Sequence, residues 1–100
     1  MTRVVLNYIR ETGPLYFDCC GHSDYKNDNG YNDVCAEVST LCSMLVRYVV
    51  NLGIEPPICK DGHVRIYIKC PCEKINEVFG AAMLEFRHLA NNYPEHIKVY

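Results

Sequence analysis

Polar and apolar residues alternate over His63–Cys70, where Val64, Ile66, Ile68 and Cys70 are separated by Arg65, Tyr67 and Lys69. A period of two predicts a strand with one face buried and one wet. Two longer stretches repeat at helical spacing instead. Val34, Val38, Leu41, Leu45, Tyr48 and Leu52 mark one face of a helix running from Asn32 or Asp33 to Asn51. Ile75, Val78, Phe79, Ala82, Phe86, Leu89 and Tyr93 mark a second, over Cys72–Asn92, opened by Pro71. Asp33 is the expected N-cap of the first helix, and Asn51-Leu52-Gly53 its expected stop.

The remaining elements are short. Arg3–Arg10 is rich in β-branched and aromatic residues and reads as a strand. The turn signal Glu11-Thr12-Gly13-Pro14 joins it to a second strand at Leu15–Gly21, giving an opening hairpin. Glu55–Cys59 pairs with the His63 strand through Lys60-Asp61-Gly62, since Asp-Gly between apolar runs signals a hairpin. Its two prolines predict a short strand or one at an edge. His96–Tyr100 is a last strand. The order ββαββαβ predicts an α+β two-layer sandwich: a mostly antiparallel sheet with two helices on one face.

Composition adds bounds to this picture. The chain has 100 residues, suited to one domain over 1–100. Its formal charge of −2 shows no basic excess, so no nucleic-acid partner is expected. Arg47 interrupts the longest apolar run, and no membrane partner is expected. The start MTRVVLNYIR lacks a secretory apolar segment, so a cytoplasmic location is expected. Seven Cys in such a chain read as thiols rather than as a disulfide framework.

The chemistry concentrates around GHSDYKNDNGYNDVCAEVS, Gly21–Ser39. Cys35 falls in the first turn of the first helix, where unpaired N–H groups and the macrodipole favour a thiolate. The same donors can hold an oxyanion. His22, at the end of a strand, is the candidate base. The rival reading makes Cys35 a small helix-start residue and His22 a loop residue. Asp24, Asp28 or Asp33 could orient His22, against plainer roles in loop solubility and capping. Tyr25 and Tyr31 are unusual in so polar a loop: they either cover a bound peptide or pack the loop down. Cys19, Cys20, His22, Cys70 and Cys72 have the wrong spacing for structural zinc, so no metal and no cofactor is expected. Cys19 and Cys20 should point to opposite faces. Cys42 reads as packing, Cys59 and Cys70 as core-facing, and His63, His88 and His96 as surface residues.

These motifs resemble the ribosomal-processing cysteine protease family, Prp. That family carries Gly-His-Ala/Ser, then roughly a dozen residues later Val-Cys-Ala-x-Val-Ser. Here the match is Gly21-His22-Ser23 and Val34-Cys35-Ala36-Glu37-Val38-Ser39. Chain length, element order and the HIKVY tail also fit. The resemblance implies a cytosolic cysteine endopeptidase. Its implied substrate is the N-terminal extension of protein twenty-seven of the large ribosomal subunit, removed during ribosome assembly. It further implies a homodimer and a loop that closes over the peptide, with Ser23, Tyr25, Gly30 and Tyr31 beside it. By position Cys35 is the nucleophile, His22 the base and Ser39 a support. One departure stands out. The family places Asp three residues before the Cys; here Asn32 stands there and Asp33 follows. The rival is therefore a catalytically impaired ribosome-associated or peptide-binding module. A thiol-redox protein is weaker, since C-x-x-C is absent.

Overall fold

The computed structural model describes residues 1–8, 13–21, 33–54, 58–60 and 62–100, with the side chains of Asn7 and Tyr8 excepted. Its elements are β1 (Thr2–Tyr8), β2 (Leu15–Cys20), α1 (Asp33–Asn51), β3 (Ile58–Lys60), β4 (His63–Ile68), α2 (Glu73–Asn92) and β5 (Ile97–Val99). The expected order ββαββαβ holds. The strands form one sheet in the order β3-β4-β2-β1-β5. All neighbours are antiparallel except β1 and β5, which run parallel. The expected edge position of β3 is also observed.

Alternation in the strands fixes the two faces. Val4, Leu15, Phe17, Cys19, Ile66 and Ile68 are buried and join residues of both helices in one core cluster. Phe17 anchors it, with ring centroids 5.8 Å from Phe79 and 5.9 Å from Phe86. The alternate positions, among them Arg3, Tyr16, Asp18, Arg65 and Tyr67, lie on the opposite face of the sheet. Cys20 is half-buried there while Cys19 is buried in the core, so the two point apart as expected.

The helical stripes differ in detail from expectation. On α1 the buried residues are Val34, Val38, Cys42, Leu45 and Val49, so Cys42 does pack. Leu41 and Tyr48 are only half-buried. Leu52, expected in the core, is 51% exposed, because the helix has already ended. The Gly53 amide donates to the Val50 carbonyl and the Ile54 amide to that of Val49, each at 2.9 Å. This is a Schellman stop, with Gly53 at φ 81° supplying the left-handed residue it requires. On α2, Met83 joins the expected core residues. β4 ends at Ile68 because its partner β2 begins at Leu15, immediately after Pro14, which has no amide to donate. Cys70 therefore lies beyond the ladder and is exposed, not core-facing.

Candidate active site

The helical layer stops short of the β3 edge, and a cleft of about 420 Å³ opens there. One wall is α1, through Cys35, Val38, Ser39, Cys42, Val46 and Arg47. These positions fall at steps of three, four or seven to eight, so they form one stripe that shares Val38 and Cys42 with the buried one. Cys35 to Arg47 is twelve residues, or about 18 Å along the helix axis. The other wall comes from Cys59 and Lys60 of β3, with Gly62, His63 and Val64. Cys19 and Thr2 complete the lining. Cys59 is exposed rather than core-facing, since at this edge no helix covers the sheet.

Cys35 is the third residue of α1 and is half-buried. Ser39 lies one turn on, exposed along the same cleft. Asp33 is the half-buried first residue of the helix. Gly21, the residue before His22, borders this cleft too. It sits at φ 95°, where a side chain is strained, and a Cβ would run into the Met1 carbonyl oxygen. Its amide donates to the Gly62 carbonyl at 2.9 Å, tying the end of β2 to the β3–β4 turn. The described chain thus stops at residue 21 and resumes at residue 33 beside one cavity. His22, Ser23, Asp24, Tyr25, Asp28, Gly30, Tyr31 and Asn32 lie outside the described residues.

At the floor, Cys19 and Cys42 form a buried thiol pair between β2 and α1. Its hydrogen bond to Cys42, together with burial, pushes the Cys19 thiol far up, so it stays protonated. The same hydrogen bond lowers the Cys42 thiol, against the opposing effect of its burial. Among the described residues, no group of three or more His, Cys, Asp or Glu is placed to hold a metal ion.

His63 differs from its expected surface role. It is half-buried, and its Nε2 lies 3.1 Å from Asp18 Oδ1. That bond ties the ring to Asp18 of β2, while the residue also lines the cleft that Cys35 borders. Asp18 also accepts from Tyr16 Oη at 2.8 Å and from Arg65 Nε at 3.1 Å. Burial opposes its ionisation, but these two hydrogen bonds and the His63 and Arg65 charges outweigh it and hold the carboxyl below its usual range. Sequence reading missed this cluster, which becomes visible only once the register sets Asp18 opposite Arg65. The cleft stripe was within reach: it is the helix face containing Cys35. His88 is exposed and pairs with Asn92 Nδ2 at 3.1 Å, while His96 is half-buried.

Comparison with known proteins agrees with the fold. The family model described as cysteine protease Prp matches residues 1–98. The crystal structure of SMU.848 from Streptococcus mutans is similar at TM-score 0.72 and 25% identity, covering 99% of this chain and 91% of that one. An essential ribosomal processing protease Prp from S. aureus, with a covalently linked product peptide, is similar at TM-score 0.72 and 19% identity, covering 99% and 97%. The same protease with a substrate peptide gives TM-score 0.67 at 19% identity, covering 100% and 98%. None of the curated proteins matches this chain.

Proposed function

From the premise that the chain belongs to the cysteine protease Prp family, we propose that it cleaves a peptide bond with Cys35 as nucleophile and His22 as base. One observation carries the assignment. Cys35 on the first turn of α1 and Gly21, the neighbour of His22, line one cleft. His22 takes the Cys35 proton, and the thiolate attacks the scissile carbonyl. Amides at the start of α1 stabilise the oxyanion, helped by the helix dipole. His22 returns the proton to the leaving amine, and water then hydrolyses the thioester. Ser39, one turn along from Cys35, borders the peptide and supports the site, as do Asn32 and Asp33 before it. Ser23, Tyr25, Gly30 and Tyr31 contact the bound chain. No cofactor enters these steps.

The substrate is the N-terminal extension of protein twenty-seven of the large ribosomal subunit. The S. aureus protease of the same family is a ribosomal processing enzyme and has been seen with substrate and product peptides. The enzyme works in the cytoplasm as a homodimer. No helix among the described residues is long and apolar enough to cross a membrane.

The test is cleavage of a peptide spanning the extension junction. Cys35→Ala and His22→Ala should each lower kcat by at least about 10³-fold, with unchanged circular dichroism. Iodoacetamide should label Cys35 faster than the other six thiols. Full cleavage by Cys35→Ala refutes the mechanism. Equal labelling of all seven thiols, with no cleavage by the wild type, favours a peptide-binding module instead.

A further inference from the structure

The net charge of −2 is a sum over the whole chain and says nothing about where the charges sit. On the sheet face turned away from the helices, the pairing registers place one residue from each strand in a single row. Lys60 of β3 pairs with His63 of β4, His63 with Cys20 of β2, Cys20 with Arg3 of β1, and Arg3 with Lys98 of β5. Strands lie about 4.8 Å apart, so this row spans about 19 Å. Arg3, Lys60 and Lys98 are exposed, and none joins an ion pair among the described residues. The acids of the helices, such as Glu37, Glu77 and Glu85, belong to the other layer.

Further along the same face the register sets Arg65 opposite Asp18, and Tyr67 opposite Tyr16. Asp18 is the one carboxylate that the described rows bring to this face, and it is already engaged by the Arg65 guanidinium and by His63 Nε2. The Arg65 guanidinium carbon lies 5.7 Å from the Tyr16 ring centroid. Tyr67, beside Tyr16, is 46% exposed. A row of cations beside flat aromatic and guanidinium groups is the combination that binds single-stranded nucleic acid: charge follows the phosphates while rings stack on the bases.

We propose that this open sheet face binds single-stranded nucleic acid, with Arg3, Lys60 and Lys98 on the phosphates and Tyr67 stacking on a base. A second copy of the chain fits the face less well, because a two-fold partner would bring the same cations toward these. An acidic protein would satisfy the cations but leave Tyr67 without a stacking partner. Arg3, Lys98 and Tyr67 lie outside the lining of the Cys35 cleft, whereas Lys60 borders both, so the variants at Arg3, Lys98 and Tyr67 test the surface apart from the peptidase reading.

The experiment is fluorescence anisotropy of the full chain with a labelled twelve-nucleotide RNA of mixed sequence, from 25 to 200 mM NaCl. Binding should weaken with salt, with log K against log salt sloping about −2 to −3, since each neutralised phosphate contributes about 0.7. Arg3→Gln with Lys98→Gln should lower affinity about tenfold or more at low salt and flatten the slope by about 1.4. Arg3→Lys with Lys98→Arg should bind like the wild type, which separates lost charge from lost fold. Tyr67→Ala should weaken binding about fivefold or more without changing the slope. No binding at 25 mM salt overturns the proposal, as does unchanged binding by the double Gln variant. Equal affinity for polyaspartate with no effect of Tyr67→Ala assigns the face to acidic protein and overturns it too.

Discussion

The two helices are nearly equal in length and both amphipathic, yet they close the sheet to different degrees. α2 buries Ile75, Phe79, Ala82, Met83, Phe86 and Leu89, and its two Phe rings meet Phe17. α1 buries only Val34, Val38, Cys42, Leu45 and Val49. Next to that stripe it sets Cys35, Ser39 and Ser43, all of them small, and these border the cleft. Side-chain volume makes the difference. Large rings fill the space between helix and sheet at interior density, whereas small residues over an edge strand leave room for a peptide. One helix holds the fold and the other holds the opening.

The comparison breaks most visibly if volume is removed from α2. Phe79 is fully buried and packs edge-on against Phe17. Phe79→Ala should cost about 3–5 kcal/mol, seen as a fall in the urea midpoint. Cleavage per folded molecule should stay within about twofold. A loss below 1 kcal/mol would mean that α2 is not the closed side of the core.

Gly21 joins the two regions, since it ends a core strand at the mouth of the cleft. Gly21→Ala forces a side chain into a left-handed conformation and against the Met1 carbonyl. We expect a loss of about 2 kcal/mol in stability, together with a loss of activity, because the residue before His22 must shift. A stable variant with wild-type turnover would separate Gly21 from the site.

Adding volume to α1 tests the open side. Ser39 is exposed and lines the cleft. Ser39→Phe should therefore change stability by less than about 0.5 kcal/mol. It should lower kcat/KM about tenfold or more, equivalent to about 1.4 kcal/mol, chiefly through KM if the ring occupies the peptide's place. The same substitution with unchanged kcat/KM would show that peptide does not run along this stripe.

These contrasts explain what the chain could disclose by itself. The strands and helices were legible because period and punctuation agreed: Val64, Ile66 and Ile68 alternate, and Gly53 ends α1. Errors fell where partners rather than periodicity decide. Cys70 continues the alternation of β4 yet has no strand to pair with, because Pro14 sets the start of β2. Leu52 continues the helical spacing but falls in the Schellman stop. Cys59 has the pattern of a core residue, but no helix lies above it. For the site, Cys35 could be placed because a helix start is a local property. The walls of the cleft could not, because Cys59, Lys60 and Gly21 reach it only through the sheet order. Asp18 likewise gained its role from β4, 45 residues away from it at His63.

The last effect belongs to the open face, and its sign follows from the state of Asp18. The carboxyl is held below its ordinary value despite burial, by Tyr16, Arg65 and His63. A carboxyl depressed in the folded state stabilises the fold fully above its unfolded pKa, near 4. That contribution shrinks as pH falls below about 4 and is gone below the folded value. Asp18→Asn keeps the shape and removes the charge. At pH 7 it should cost about 1–2 kcal/mol, as expected for hydrogen bonds to a half-buried charge whose side chain is 13% exposed. Measured by urea unfolding from pH 7 to pH 2.5, the gap between wild type and variant should stay constant down to about pH 5 and then narrow. Turnover should be unaffected near neutral pH, since Asp18 lies across the sheet from Cys35. A gap that widened in acid would mean that Asp18 takes up its proton more readily in the folded chain. The open face would then hold a strained carboxyl rather than the engaged centre of a cationic surface.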